Sequence, residues 1–241
     1  MKTISISTLL LIFFSPIFSQ SNQSLDIITG IDLSFRYLNQ EGDGQQVQNV
    51  LEGRNEGETP KLNWRFGFNY NLKVSQKLFI KSGLRLASVG YNGKKLTGLK
   101  WGSEYDGMGG WIHDPSLPHE IQFKYDYWFL EIPVALRYEI KESKWSPYFE
   151  LGIAPSFYLG ELVTKKTDIG KEVEFTDNSI YDYQKIHLVG LIAFGVNYNL
   201  SQKLQLFGQP TFRYHFTKLF EAPIEEYLYN GGLEIGLRRR F

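Results

Sequence analysis

The chain has 241 residues, with 26 basic side chains balanced by 26 acidic ones, and no cysteine. That length suits one large domain or two small ones, and zero net charge offers no electrostatic footprint for nucleic acid. The absence of cysteine excludes a disulfide framework, a thiolate nucleophile and a lipid-modified cysteine. The 15 Tyr, 18 Phe, 5 Trp and 23 Gly suit strands separated by turns.

Residues 1–19 have the layout of a secretory signal peptide. Lys2 precedes the apolar run Leu9 to Phe14, then Ser15-Pro16, and Ser19 is a small residue before a cut at Gln20. The run is too short to span a bilayer as a helix, and no other stretch reaches about 18 apolar residues. If the remaining chain, 20–241, lies in a membrane, it must do so as a closed barrel. Only helices and closed barrels satisfy their backbone in lipid.

Beyond the leader, apolar residues alternate with polar ones in segment after segment, the period of a strand with two unlike faces. Leu25 to Arg36 sets Leu25, Ile27, Ile31, Leu33 and Phe35 against Asp26, Asp32, Ser34 and Arg36. A polar stretch, 37–61, reads as a long loop. Leu62 to Leu72 sets Leu62, Trp64, Phe66, Phe68, Tyr70 and Leu72 against Asn63, Arg65, Gly67, Asn69 and Asn71. After a turn at 73–77, Leu78 to Leu86 places Lys81, Gly83 and Arg85 on the polar face. Residues 91–120 form a second, glycine-rich loop.

The fourth strand begins near Ile121 and ends in WFLEIPVALRYEI, residues 128–140. Trp128, Leu130, Ile132, Val134, Leu136, Tyr138 and Ile140 make one apolar row, and Glu131, Pro133, Ala135, Arg137 and Glu139 make the other. In a soluble sheet the charged row would face water; in a membrane barrel the apolar row faces lipid and the charged row faces the lumen. A fifth strand, 147–159, alternates about Glu150. Residues 160–184 read as a third loop. Strands at 185–200 and 204–216 follow, joined by Ser201-Gln202-Lys203. A loop at 217–228 precedes the last strand, with Glu234, Gly236, Arg238 and Arg240 opposite Leu233, Ile235, Leu237 and Phe241.

The count is eight strands, joined alternately by long loops and short turns. That rhythm predicts an all-β fold, an eight-stranded antiparallel up-and-down transmembrane β-barrel with its extended loops at one end. The long-loop side is acidic in sum. GFNYNL–SQKL at 67–78 echoes GVNYNLSQKL at 195–204, so one hairpin chemistry is used twice. Pro133, Pro155 and Pro210 fall inside strands, where each removes a ladder donor, and bulges or weakened pairing are expected there.

An eight-stranded lumen has room for little beyond side chains. Arg65, Arg85, Glu131, Arg137, Glu150, Arg213 and Glu234, with Arg36, Lys81, Glu139 and Arg238, are therefore expected to pair across strands and plug the barrel, since isolated buried ions are costly. A ligand site or proton path within that network is the functional alternative. His113-Asp114 and His119-Glu120 carry metal-ligand chemistry, but a solvated loop is the simpler reading. His187 and His215 lie on inner faces, as packed histidines or a catalytic base. No hydrolase, zinc, phosphate-loop or dinucleotide motif occurs. No catalytic residue, metal or cofactor is expected. Trp64, Tyr70, Trp128, Tyr138, Trp145 and Tyr198 look like interfacial girdles.

FLEIPVALRYEI at 129–140 resembles the LEIP-containing strand of the PorT-like outer-membrane β-barrel family of Gram-negative bacteria. PYFELGIAPSFYL at 147–159 is similar to the strand that follows it there. The terminus GGLEIGLRRRF resembles a barrel-assembly signal through Gly236 and Phe241, departing from it at Arg239. The resemblance implies an integral protein of the bacterial outer membrane, surrounded by its lipid and inserted by the barrel-assembly machinery. It also implies a structural or accessory role in an outer-membrane assembly, with secretion-system proteins as partners. A surface-binding protein acting through its long loops, and an outer-membrane lipid-acting enzyme or protease, are the alternatives.

Overall fold

The computed structural model describes residues 22–40, 44–99, 107–108, 110, 114, 116–141, 143–176 and 182–241. The expected signal peptide at 1–19 and His113 lie outside the described residues. The elements are β1 Gln23–Gln40, α1 Gln45–Gly57, β2 Thr59–Lys73, β3 Leu78–Asn92, β4 Ile121–Glu131, β5 Val134–Glu139, β6 Trp145–Thr167, β7 Lys171–Thr176, β8 Ile186–Asn199, β9 Leu204–His215 and β10 Ile224–Arg240.

Antiparallel pairing runs β1–β2–β3, on through β4 and β5 to β6, then β8–β9–β10, and β10 returns to β1 over their whole length. The sheet therefore closes on itself. β4 and β5 form one stave: Glu131 faces Ser156 and Val134 faces Ile153, so the register against β6 carries across the break at Ile132–Pro133. β7 pairs with the outer end of β6, outside the ring. The result is an eight-stave barrel with neighbouring termini, the Phe241 N–H donating to the Gln23 carbonyl at 3.1 Å.

The alternation in the sequence becomes an inside and an outside. Val134, Leu136, Phe194 and Ile235 are exposed on the outer wall, while Glu131, Arg137, Glu150 and Glu234 beside them are buried inside. A continuous apolar exterior is stable only against hydrocarbon. Aromatics rim it at both ends. Trp64 packs edge-on to Trp128 toward the long loops, and Trp145 packs against Tyr198 toward the short turns, with Lys144 over the Tyr198 ring.

The repeated hairpin chemistry gives one turn geometry twice. The amides of Val74 and Ser75 both donate to the Leu78 carbonyl, and those of Leu200 and Ser201 both donate to Leu204.

Pro133 and Pro210 bring the weakened pairing expected of them but no bulge, and none of the three shifts the register. Ile132 lies opposite Pro155 and donates its amide to the Pro155 carbonyl at 2.9 Å. Pro133 and Pro155 thus share one seam, where the missing donors of two strands coincide in a single gap. At Pro210 the ladder to β8 lapses between Ala193–Thr211 and Val196–Gly208 without slipping. Register shifts lie elsewhere: at Leu159, where Trp128 faces Gly160 but Phe129 faces Tyr158, and between β2 and β3, where Pro60 faces Tyr91 but Arg65 faces Ala87. Gly160 has φ 153°, a conformation that favours glycine.

Three expected loops are shorter than the sequence suggested. Within 37–61, β1 runs on to Gln40 and α1 fills Gln45–Gly57. Within 160–184, β6 continues to Thr167 and turns into β7. The loop at 217–228 ends early, because β10 starts at Ile224. α1 buries none of its residues. It is held at its C-terminal end, where Arg54 donates to Glu58 at 2.7 Å and the Glu58 amide caps the Arg54 carbonyl at 2.9 Å.

Candidate functional site: a filled lumen and a cavity at its mouth

The lumen is built from the inner rows of all eight staves. Asp26, Asp32, Glu131, Glu139, Glu150 and Glu234 are buried there with Arg65, Lys81, Arg85, Arg137, Arg213 and Arg238. Six acids meet six bases, so the lining is neutral as a set. Glu234 is the hub. Its Oε1 accepts from Arg213 and from Arg85 at 3.3 Å and lies 3.7 Å from the Arg65 guanidinium as an ion pair, while Gln209 donates to its Oε2 at 2.6 Å. Arg65 also donates to Asp32 at 2.7 Å and to Glu131 at 3.4 Å.

A second group, on the short-turn side, centres on Glu150, which pairs with Lys81 and with Arg137 at 3.3 Å. The Arg137 guanidinium lies 4.1 Å from the Tyr148 ring centroid, and the Tyr148 hydroxyl donates to Gln209 at 2.7 Å, joining the two groups. Arg238 grips Asp26 with two bonds, at 2.7 and 2.9 Å, and approaches Glu139 at 4.0 Å. Each ion thus faces a counter-ion, the condition under which charge is tolerable away from water. All seven residues singled out from the sequence for a lumen network lie in this set. Gly30 makes room for it, since a side chain there would meet Glu234 Cγ at 2.9 Å.

Gly236, singled out for an assembly signal, lies on the inner face of β10, where a methyl group would run into the Phe207 ring. It therefore has a packing reason of its own. Phe241 closes the chain beside β1.

Nearer the long loops the lining changes character. Val89, Tyr91, Tyr127, Phe129, Tyr183, Leu219, Phe220 and Leu228 form a buried apolar cluster across the barrel. His187 and His215 sit at its floor, rings 5.8 Å apart with the Phe129 ring 5.2 Å from each. His187 Nε2 lies 2.8 Å from the Gln184 carbonyl. Neither histidine has a carboxylate at hydrogen-bonding distance among the described residues, and both pack edge-on or tilted against the Phe129 ring.

Above the cluster is a cavity of about 470 Å³, roofed by α1 and walled by the ends of β3, β4, β6 and β10. Three carboxylates border it: Glu58 and Glu161 in its lining, and Glu226 behind Arg54. Glu226 accepts from Arg54 at 2.9 Å and from the Tyr91 hydroxyl at 3.3 Å. Glu161 accepts from the Tyr183 hydroxyl at 3.0 Å. Burial pushes the Glu226 and Glu161 carboxyls above the ordinary carboxylate range, against the opposing pull of Arg54 on Glu226 and of Tyr183 on Glu161. Glu161 was not singled out from the sequence. Its inward direction depends on the Leu159 bulge, which reverses the alternation of β6.

The candidate metal loop assembles differently. Asp168, at the β6–β7 turn, accepts from the amides of His119 and Glu120 at 3.1 and 3.3 Å. Glu120 pairs with Lys95 at 2.6 Å, and Asp114 caps the turn at Ser116. No group of three metal-ligating side chains forms among the described residues.

Residues 18–221 match the model of the outer membrane protein beta-barrel domain. The chain belongs to that family. An outer membrane β-barrel of this family is an integral protein of the bacterial outer membrane, so the long-loop end is extracellular and the short turns are periplasmic. Among solved structures, the barrel is similar to the outer membrane protein OprG from Pseudomonas aeruginosa, at 12% identity and TM-score 0.49 over 91% of this chain and 96% of that one. It is similar to Neisserial surface protein A at 11% identity and TM-score 0.44 over 92% and 98%. Ail, the attachment invasion locus protein of Yersinia pestis, follows at 13% identity and TM-score 0.36 over 91% and 99%. No curated protein matches the chain.

Proposed function

We propose that the protein is a non-conducting barrel that serves as an accessory component of an outer-membrane assembly and presents its extracellular rim to partner proteins. Protein secretion of the PorT-like kind is the assembly it best fits, through the sequence resemblance at 129–159. The barrel carries no catalytic step in this reading, and its lumen is filler.

The observation that carries the proposal is the rim. Above the Trp128 belt, β6 continues for about 20 Å of strand and returns as β7. Ile169, Val173 and Phe175 on this hairpin, and Val50 on α1, are more than half exposed. On the lipid wall such exposure is solvated by hydrocarbon. Beyond the girdle it faces water, where apolar side chains cost free energy unless another surface covers them. A photo-crosslinking side chain at Val173 or Phe175 in intact cells is expected to yield a discrete adduct with another outer-membrane protein. The same probe at Phe194 is expected to give none. Rim positions that behave like Phe194 would overturn the proposal.

A further inference from the structure

The mouth cavity contains two corners built alike, and only one of them holds a cation among the described residues. In the first, the Arg54 guanidinium lies 5.8 Å from the Tyr91 ring centroid, bonds the Tyr91 hydroxyl at 2.9 Å and pairs with both Glu226 and Glu58. In the second, Glu161 takes the place of Glu226 and Tyr183 that of Tyr91, with the Tyr127 ring 5.9 Å and the Phe220 ring 5.6 Å from Tyr183. Glu161 is 6% exposed, lines the cavity and has no basic partner among the described residues.

We infer that the second corner binds a small organic cation with an ammonium head, taken from the extracellular side. The inference goes beyond the assembly role and stands or falls independently of it. Aromatic faces attract a cation through their quadrupole, and a carboxylate behind them adds direct charge pairing. One carboxylate among hydroxyphenyl rings is a poor site for calcium or magnesium, which demand six or more oxygens. It suits an alkylammonium, whose apolar body matches the rings. The cavity is of ordinary small-ligand size. It lies inside the rim beneath α1 and not on the lipid wall, so the occupant is a free solute and not a lipid headgroup.

The test uses the whole barrel, refolded into detergent and titrated calorimetrically with choline and with butylamine, each against the neutral isostere in which carbon replaces nitrogen. Choline or butylamine is expected to bind at least about tenfold more tightly than its isostere. Glu161→Gln, which keeps the volume and an acceptor for Tyr183, is expected to remove about tenfold of that affinity. Phe194→Leu, on the lipid wall and outside the cavity, is expected to stay within about threefold of the parent. Heat-dependent electrophoretic mobility checks that each variant is folded, and Glu161→Ala replaces Glu161→Gln if the latter is not. Equal binding of cation and isostere, no binding of either cation, or an unchanged affinity in the folded Glu161 variant would overturn the inference.

Discussion

Replacing Glu234 by Gln removes the hub of the lumen network and leaves Arg65, Arg85 and Arg213 converging on a neutral amide. The six-against-six balance becomes five acids against six bases, with the surplus cation enclosed by a wall in contact with hydrocarbon. Breaking a buried ion pair by deleting one partner costs about 3–5 kcal/mol, because the remaining charge is left without compensation. Arg65 keeps Asp32 and Glu131, and Arg85 keeps Asn69, so the loss falls mainly on Arg213 and belongs toward the lower end, about 3 kcal/mol. The assay is reversible urea unfolding in lipid vesicles, followed by tryptophan fluorescence. The double variant Glu234→Gln with Arg213→Gln restores neutrality and is expected to regain at least about 1 kcal/mol over Glu234→Gln alone. A Glu234→Gln barrel within about 1 kcal/mol of the parent would refute the account of the lumen as a closed set of mutually dependent charges.

Gly195→Val drives a side chain into the space of the Tyr148 ring. It is expected to break the Tyr148–Gln209 bond and destabilise the barrel by about 1–3 kcal/mol in the same assay, whereas Val196→Leu on the lipid wall is expected to be nearly silent. Arg54→Ala removes one of the two arginine ties between α1 and the wall, leaving that of Arg36 to Asn55, and leaves Glu226 buried without its cation. Limited proteolysis is expected to cut within 45–57 in this variant before the parent is touched, with the barrel left intact. Because burial holds the Glu161 and Glu226 carboxyls above their unfolded values, the folded rim binds more protons than the unfolded chain. The favourable contribution is complete below the unfolded carboxylate range and is lost as pH rises through the raised values. Hydrogen exchange in α1 and at the start of β10, corrected for intrinsic rate, should show more protection at about pH 5 than at about pH 8, and the reverse order would contradict the assignment.

The strands were legible in the sequence wherever the two faces meet different solvents. From Leu62 to Leu72 and from Leu130 to Ile140, hydrocarbon on one side and a charged lumen on the other force an alternation in which every outward residue is apolar and only Gly67, Pro133 and Ala135 of the inner rows are not polar. Beyond the girdle both faces of a strand are wet, so the outer part of β6 and all of β7 carry mixed residues such as Lys165, Lys166, Glu172 and Glu174, and they read as loop. α1 escaped for a related reason: it buries none of its side chains and so has no apolar stripe to betray a helical period. The charged lumen residues were readable from strand phase, but their partners were not, because the meeting of Glu234 with Arg85 depends on how the ring closes. Pro133 and Pro155 look like two separate faults until the register places them on one seam. The mouth cavity was out of reach from sequence, since Glu161 turns inward only because Leu159 bulges.

The central claim, that the apolar rows face hydrocarbon around a self-neutralising charged lining, is open to one direct measurement. The chain has no native cysteine, so single cysteines can carry spin labels without background. Labels at Val134, Leu136 and Phe194 are predicted to collide freely with oxygen dissolved in the bilayer and hardly at all with a water-soluble paramagnetic reagent. Labels at the inner neighbours Ala135 and Ala193 are predicted to be shielded from oxygen. Labels at Val134 and Leu136 that instead report bulk water, or no alternation along 134–136, would contradict the account.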